Sequence, residues 1–142
     1  MDDSSRQRWL STAILCGVFY LAAGLISATL AGAAASEQMR SFWRLSAFIV
    51  SALVFAAHIA YEHFRLHNTA RPTAWHASAA VAFGAFALAL AANIHDLGSP
   101  LGYRPRMLIA LVAWPLLTAV PAFIVALVVA AGLGLRAGRG TI

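Results

Sequence analysis

The sequence predicts an all-α fold, a bundle of four transmembrane helices that run alternately up and down through a membrane. First, 61% of the 142 residues are hydrophobic and only 11% are charged, whereas soluble domains carry about 25% charged residues. Second, four apolar runs approach or exceed the roughly 20 residues that cross a bilayer as a helix. Third, the connections between these runs are short, which makes consecutive helices antiparallel neighbours.

These runs form one membrane domain, residues 1–142, because no linker or internal repeat divides the chain. Lipid offers no partner for free backbone N–H and C=O groups, so each run must be helical. The runs lack the period-two alternation of a membrane barrel. The predicted helices cover roughly residues 9–35, 44–66, 74–96 and 106–135.

Turn residues separate the predicted helices. Pro72 disfavours helix at the residue before it, and Thr73 is a suitable N-cap for the third helix. Gly98 and Pro100 are stop signals after that helix, and Pro105 suits the first turn of the fourth.

The N-terminal run resembles a secretory signal, since Arg6 and Arg8 precede it and small residues follow it. Signal hydrophobic regions span about 7–15 residues, and this longer run is therefore expected to be a retained helix. Six arginines lie on the side of both termini and four on the other side. The positive-inside bias therefore predicts cytoplasmic termini.

Small residues recur on two helices at spacings that allow close packing in a membrane. The helix-packing residues predicted from this pattern are Gly17, Gly24, Ser78, Ala82, Ala85 and Ala89. The pattern leaves open whether the packing partner is the same chain, another copy or a different membrane protein. In the fourth helix, Pro115 and Pro121 each remove a backbone hydrogen bond, which predicts a bend between Trp114 and Phe123.

The second helix carries ionisable residues on one broad face. His58 and Glu62 are four residues apart, and Ser51 lies seven residues before His58. An ionisable side chain at membrane depth is costly and usually faces the bundle interior. We therefore expect this face to point inward, with Glu62 as the simplest partner for His58.

Histidines crowd the same end of the predicted helical hairpin. Imidazole and carboxylate groups are ligands for transition metals, and two facing imidazoles can hold a haem. The candidate ligands are His58, Glu62, His63 and His76. His63 is rotated about 140° from His58 on the helix, which weakens a shared centre. Interfacial histidines with a hydrogen-bonded interior His58, a metal or haem site, and a proton or ion path all stay open.

At the opposite end, Asp96 follows the small-residue face of the third helix, and Arg44 begins the second helix on the same side. The sequence predicts a structural ion pair between them, with a proton-relay carboxylate as the alternative.

The function expected from these patterns is that of an interaction, assembly or accessory subunit in the lipid bilayer, without catalysis of its own. The alternatives are a haem- or metal-binding bundle and an oligomeric subunit of a small transporter or channel. No nucleophile elbow or phosphate-binding glycine loop is present. The cations are spread over helix ends rather than clustered, which excludes a typical nucleic-acid binder.

Overall fold

The chain forms four α-helices over the residues that the computed structural model describes, 3–98 and 107–139. Each helix contains a segment long and apolar enough to cross a membrane. The prediction of an all-helical fold with four helices is confirmed. In chain order the helices are α1 (Asp3–Gly32), α2 (Glu37–Phe64), α3 (Ala70–Leu97) and α4 (Met107–Arg139).

The first connection is shorter than predicted, because α2 begins at Glu37 rather than at residue 44. Ser36 is its N-cap, and the hydroxyl of Ser36 accepts a hydrogen bond from the N–H of Met39 at 3.2 Å. This bond satisfies one of the donors left free in the first helical turn. Arg40, which was predicted to lie in the loop, is therefore in the first turns of α2.

The start of α3 was also predicted too late. Thr69 rather than Thr73 is the N-cap, and Pro72 lies inside the first turn. Proline is tolerated there because its missing N–H would have no intrahelical acceptor. Thr73 is fully buried, and its N–H donates to the carbonyl of Thr69 at 3.2 Å. The predicted stop at Pro100 and helix start at Pro105 lie outside the described residues.

Helix α3 occupies the centre of the bundle. It buries 39% of its most apolar segment, against 17% or less in the other three helices. Both α1 and α4 pack against α3, and within the described ranges they do not pack against each other. Helix α2 packs chiefly against α1, so much of its surface and that of α4 stays open.

Glycines on both helices allow α1 and α3 to approach each other closely. A Cβ atom on Gly84 of α3 would lie 2.7 Å from Cβ of Tyr20 and 3.1 Å from the carbonyl oxygen of Gly17. Gly17 itself faces Phe83, and Gly24 faces Leu88. The packing partner of these two predicted residues is therefore α3 of the same chain.

Most of the predicted small-residue face of α3 is buried within the chain. Ser78, Ala85 and Ala89 are buried, while Ala82 is half-buried and lines a cavity with residues of α4. One turn beyond Ala89, the amide of Asn93 donates to the carbonyl of Met107 at 2.9 Å. These residues therefore pack within the chain.

Helix α4 continues through both of its prolines. The hydroxyl of Thr118 donates to the carbonyl of Trp114 at 2.9 Å and lies 3.1 Å from that of Pro115. The predicted bend in this region stays a prediction.

Candidate functional site

The inward face predicted for α2 is confirmed at its two ionisable residues. His58 is 2% exposed, and Glu62 is completely buried. Their separation of four residues places both side chains on one side of the helix. Ser51, which lies seven residues before His58 on the same helical face, is half-buried. Burial of a carboxyl group in an apolar bundle is costly unless partners surround it.

Three side chains from different parts of the α2–α3 hairpin surround the Glu62 carboxyl group. Its Oε2 atom lies 3.0 Å from Nδ1 of His76 and accepts a hydrogen bond from the side-chain amide of Asn68. Its Oε1 atom lies 3.7 Å from Nε2 of His58, an ion contact longer than a hydrogen bond. One carboxyl group thus joins α2, the turn after it and α3.

The turn between α2 and α3 brings Asn68 to this carboxyl group. His67 has a positive φ of 52°, a left-handed conformation that is uncommon outside glycine. This conformation reverses the chain, and the backbone N–H of Asn68 then donates to the carbonyl of Glu62 at 3.1 Å. Asn68 therefore binds Glu62 through both its backbone and its side chain.

Helix α1 covers the outer side of the Glu62 cluster, which consists of Glu62, His58, Asn68 and His76. The rings of Trp9 and His76 are stacked, with centroids 4.5 Å apart and planes within 5° of parallel. This contact brings the first turns of α1 to the α2–α3 turn. Since the stacked ring fixes the imidazole plane, it also holds Nδ1 of His76 toward Glu62.

His58 differs from His76 in its hydrogen bonding. The side chain of His58 is fully buried, and neither ring nitrogen has a hydrogen-bond partner within the described residues. The hydroxyl of Tyr20, on the facing helix α1, is buried and unpartnered in the same sense. A buried polar group without a partner costs about 1–3 kcal/mol. Such groups are rare in native proteins and require an explanation.

A cleft between α1 and α2 reaches this histidine. Its volume is about 470 Å³, which falls within the range of small-molecule sites. Its mouth is apolar, since Leu15 is 66% exposed and Phe19 is 55% exposed. The cleft is lined by Thr12, Leu15, Cys16, Phe19, Val54, Ala57, His58 and Tyr61.

The four predicted metal or haem ligands do not form one centre. His58, Glu62 and His76 come together, but the ring of His63 instead contacts Phe64, at 4.9 Å between centroids. The carboxyl group of Glu62 contacts both other imidazoles, so they do not face each other across a space for haem. Among the described residues, no group of three or more His, Cys, Asp or Glu side chains is arranged to hold a metal ion.

The predicted ion pair between Arg44 and Asp96 is not observed. The salt bridges within the described residues do not include one between these two side chains. The reason lies in the packing: Arg44 lines a groove between α1 and α2. The end of α3 instead lies beside α4, as the Asn93 bond to Met107 shows.

Sequence reasoning missed one member of the Glu62 cluster, the ring that stacks on another member, and the cleft itself. Asn68 was assigned to a connecting segment, and only the turn conformation at His67 directs it to Glu62. Trp9 lies near the start of the first apolar run, where an interfacial aromatic belt is typical, yet it stacks on His76. Cys16 lines the cleft together with His58. A usable signal for Trp9 was its place near the start of α1, on the same side as the α2–α3 turn.

Comparison with family models, curated proteins and solved structures gives no match to this chain.

Proposed function

We propose that the protein is a small multi-pass integral membrane protein that acts by binding, as an interaction or accessory subunit without catalysis of its own. Its binding site is the α1–α2 cleft, and its ligand is a lipid-soluble molecule with a hydrogen-bonding oxygen on its head group. The observation that carries this proposal is the fully buried imidazole of His58, which lines that cleft, lies 3.7 Å from Glu62 and forms no hydrogen bond with a described residue.

The membrane setting follows from the helices themselves. All four contain spans long and apolar enough for a bilayer, and large apolar side chains cover their open faces. We propose that the helices cross in alternating directions, with both termini in the cytoplasm. Reporter fusions after Asn68 and at the C-terminus should then give the cytoplasmic signal, and a fusion after Gly98 the opposite one. Matching signals from Asn68 and Gly98 would contradict this topology.

The ligand chemistry follows from the two parts of the cleft. The mouth, formed by Leu15 and Phe19, is apolar and suits a hydrocarbon tail. At the inner wall, each ring nitrogen of His58 can donate a hydrogen bond, and in the neutral ring one of them can accept one. A neutral head group fits better than a charged one, because an ion in an apolar cavity requires compensation. The carbonyl of a quinone or the hydroxyl of a lipophilic alcohol has this chemistry.

Binding can be measured with probes that share one tail and differ in the head group. Decylubiquinone, decanol and decane would be titrated against the purified protein in lipid nanodiscs. Trp9, which is stacked on His76 and lies three residues before Thr12 of the cleft lining, makes tryptophan fluorescence a suitable readout. We expect saturable binding of a probe with an oxygen-bearing head and only unsaturable partitioning of decane. His58→Leu should weaken the saturable binding about tenfold, the effect of one lost hydrogen bond to a buried partner.

A pair of matched variants separates cleft binding from general partitioning. Ala57 lines the cleft, whereas Ala52 is exposed on the same helix outside it. Ala57→Phe should abolish saturable binding, and Ala52→Phe should leave it unchanged. Circular dichroism and size-exclusion chromatography would establish that each variant is folded. Equal binding in both variants would overturn the proposal.

The haem- or metal-binding bundle and the transporter or channel subunit are the competing proposals. An absorption spectrum and an elemental scan of the purified protein distinguish the first, since a haem band or a stoichiometric metal would replace our proposal. Ion flux into proteoliposomes that is lost in Glu62→Gln would favour the second.

A further inference from the structure

A second cavity lies at the other end of the α1–α2 pair and is separate from the histidine cleft. It has a volume of about 530 Å³ and opens between the end of α1 and the start of α2. Its lining combines two arginines of α2 with small side chains of α1. The residues relevant here are Ser27, Ala28, Ala31, Arg40 and Arg44.

The two arginines present their charge to the same cavity. Arg40 and Arg44 are four residues apart and therefore neighbours on one face of α2. Arg40 is bonded to Glu37, a side chain that is itself 79% exposed. Arg44 forms no ion pair in the described part of the chain. Since each guanidinium carries five N–H donors, both retain donors for an anion, and phosphate suits their geometry.

The apolar part of the cavity lining favours a lipid over a free anion as the ligand. Ala28 and Ala31 are small and apolar, and Ala31 is 5% exposed. An inorganic phosphate would not use such a surface, whereas an acyl chain would lie along it. Arg40 and Arg44 stand in the first turns of α2, about 5–10 Å along the helix from its start. In a membrane-spanning helix, residues at this distance from the helix start lie at the level of the lipid head groups.

We infer that this groove binds an anionic phospholipid. Its phosphate lies against Arg40 and Arg44, and one acyl chain lies over the alanines of α1. The two cavities then give α1 and α2 two lipid-phase sites of different chemistry, one for an anion and one for a neutral head group.

Native mass spectrometry of the full chain, exchanged into detergent with defined lipids, tests this inference. Phosphatidylglycerol and phosphatidylcholine with identical acyl chains would be the probes. The wild type should retain phosphatidylglycerol in preference to phosphatidylcholine. Arg44→Gln should weaken that retention about tenfold, as expected for the loss of charge-assisted hydrogen bonds. Arg71→Gln, at an exposed arginine on the opposite end, is the matched control and should change nothing.

A steric pair tests the acyl-chain part of the site. Ala28→Phe should fill the groove and reduce phosphatidylglycerol retention, while Ala52→Phe should not. Equal retention of the two lipids, or equal losses in Arg44→Gln and Arg71→Gln, would overturn the inference. Displacement of phosphatidylglycerol by an equal concentration of inorganic phosphate would also overturn it, because the site would then be for phosphate alone. A changed oligomeric mass in Ala28→Phe with unchanged lipid retention would replace the lipid with a second copy of the chain.

Discussion

At the α2–α3 end of the molecule, the carboxyl group of Glu62 is fully buried and contacts three other side chains. At the opposite end, where the turn from α1 to α2 lies, Arg44 is exposed and forms no ion pair with any described residue. Both ends carry charge, but Arg40 pairs only with the exposed Glu37 at the second end, and Arg44 has no ion-pair partner among the described residues. The difference indicates that polar groups at the first end hold the helices together, while those at the second are available to an external anion.

The largest effect should come from breaking the compensated end. Glu62→Ala leaves His76, Asn68 and His58 without their common partner. Removing one partner of a buried ion pair typically costs about 3–5 kcal/mol. The unfolding free energy measured by steric trapping in bicelles should fall by that amount. Arg44→Ala is the matched change at the open end and should stay within about 0.5 kcal/mol of the wild type.

Two results would contradict this contrast. A Glu62→Ala variant as stable as the wild type would show that the cluster contributes nothing to holding α2 against α3. A loss for Arg44→Ala as large as for Glu62→Ala, in lipid-free detergent, would show that Arg44 has a structural partner in the chain.

A smaller effect should follow from filling the contact between α1 and α3. A Cβ on Gly84 would lie 3.1 Å from the carbonyl oxygen of Gly17, and backbone atoms yield poorly. We expect Gly84→Ala to lower the unfolding free energy by about 1–3 kcal/mol, the usual cost of overpacking. Gly132→Ala on α4 is the control, because a Cβ there meets no atom within 4 Å. Equal losses at both glycines would mean that helix crowding at Gly84 is relieved without cost.

The smallest effect should come from the turn that delivers Asn68. His67 holds a φ of 52°, which costs an ordinary residue roughly 1–2 kcal/mol and glycine almost nothing. The wild type already bears this cost, and His67→Val should destabilise the protein further, since a β-branched side chain fits this conformation worst. His67→Gly should be at least as stable as the wild type in the same thermal unfolding assay. If glycine destabilised the protein as much as valine, the imidazole of His67 would be needed for a contact.

The four helices could be predicted because each apolar run is uninterrupted by charge over a bilayer length. Their ends could not, because polar residues continue a helix wherever a cap satisfies the first turn. Ser36 starts α2 well before the apolar run begins, and Pro72 is accommodated in the first turn of α3. The first depends on a capping hydrogen bond at Ser36, and the second on the absence of an intrahelical acceptor for first-turn N–H groups.

The candidate site, too, could be predicted only in part from the sequence. The spacing of His58 and Glu62 fixes a shared helical face, and His76 follows from the hairpin. His63 was kept among the candidates although its offset of about 140° from His58 weakened a shared centre, and its ring contacts Phe64. Asn68 depends on one unusual φ angle at His67, and the pairing of Trp9 with His76 depends on how α1 crosses the hairpin. Neither of these two contacts can be predicted from the periodicity of a helix.

We expect His58, rather than His76, to be the histidine that is available to a ligand. Nuclear magnetic resonance of the ring nitrogens, in histidine-labelled protein in nanodiscs, tests it directly. His58→Gln and His76→Gln would assign the two signals. On addition of decylubiquinone or decanol, the nitrogen signals of His58 should shift, while those of His76, which is held by Glu62 and Trp9, should stay in place. Shifts confined to His76, or no shift at either ring, would contradict it.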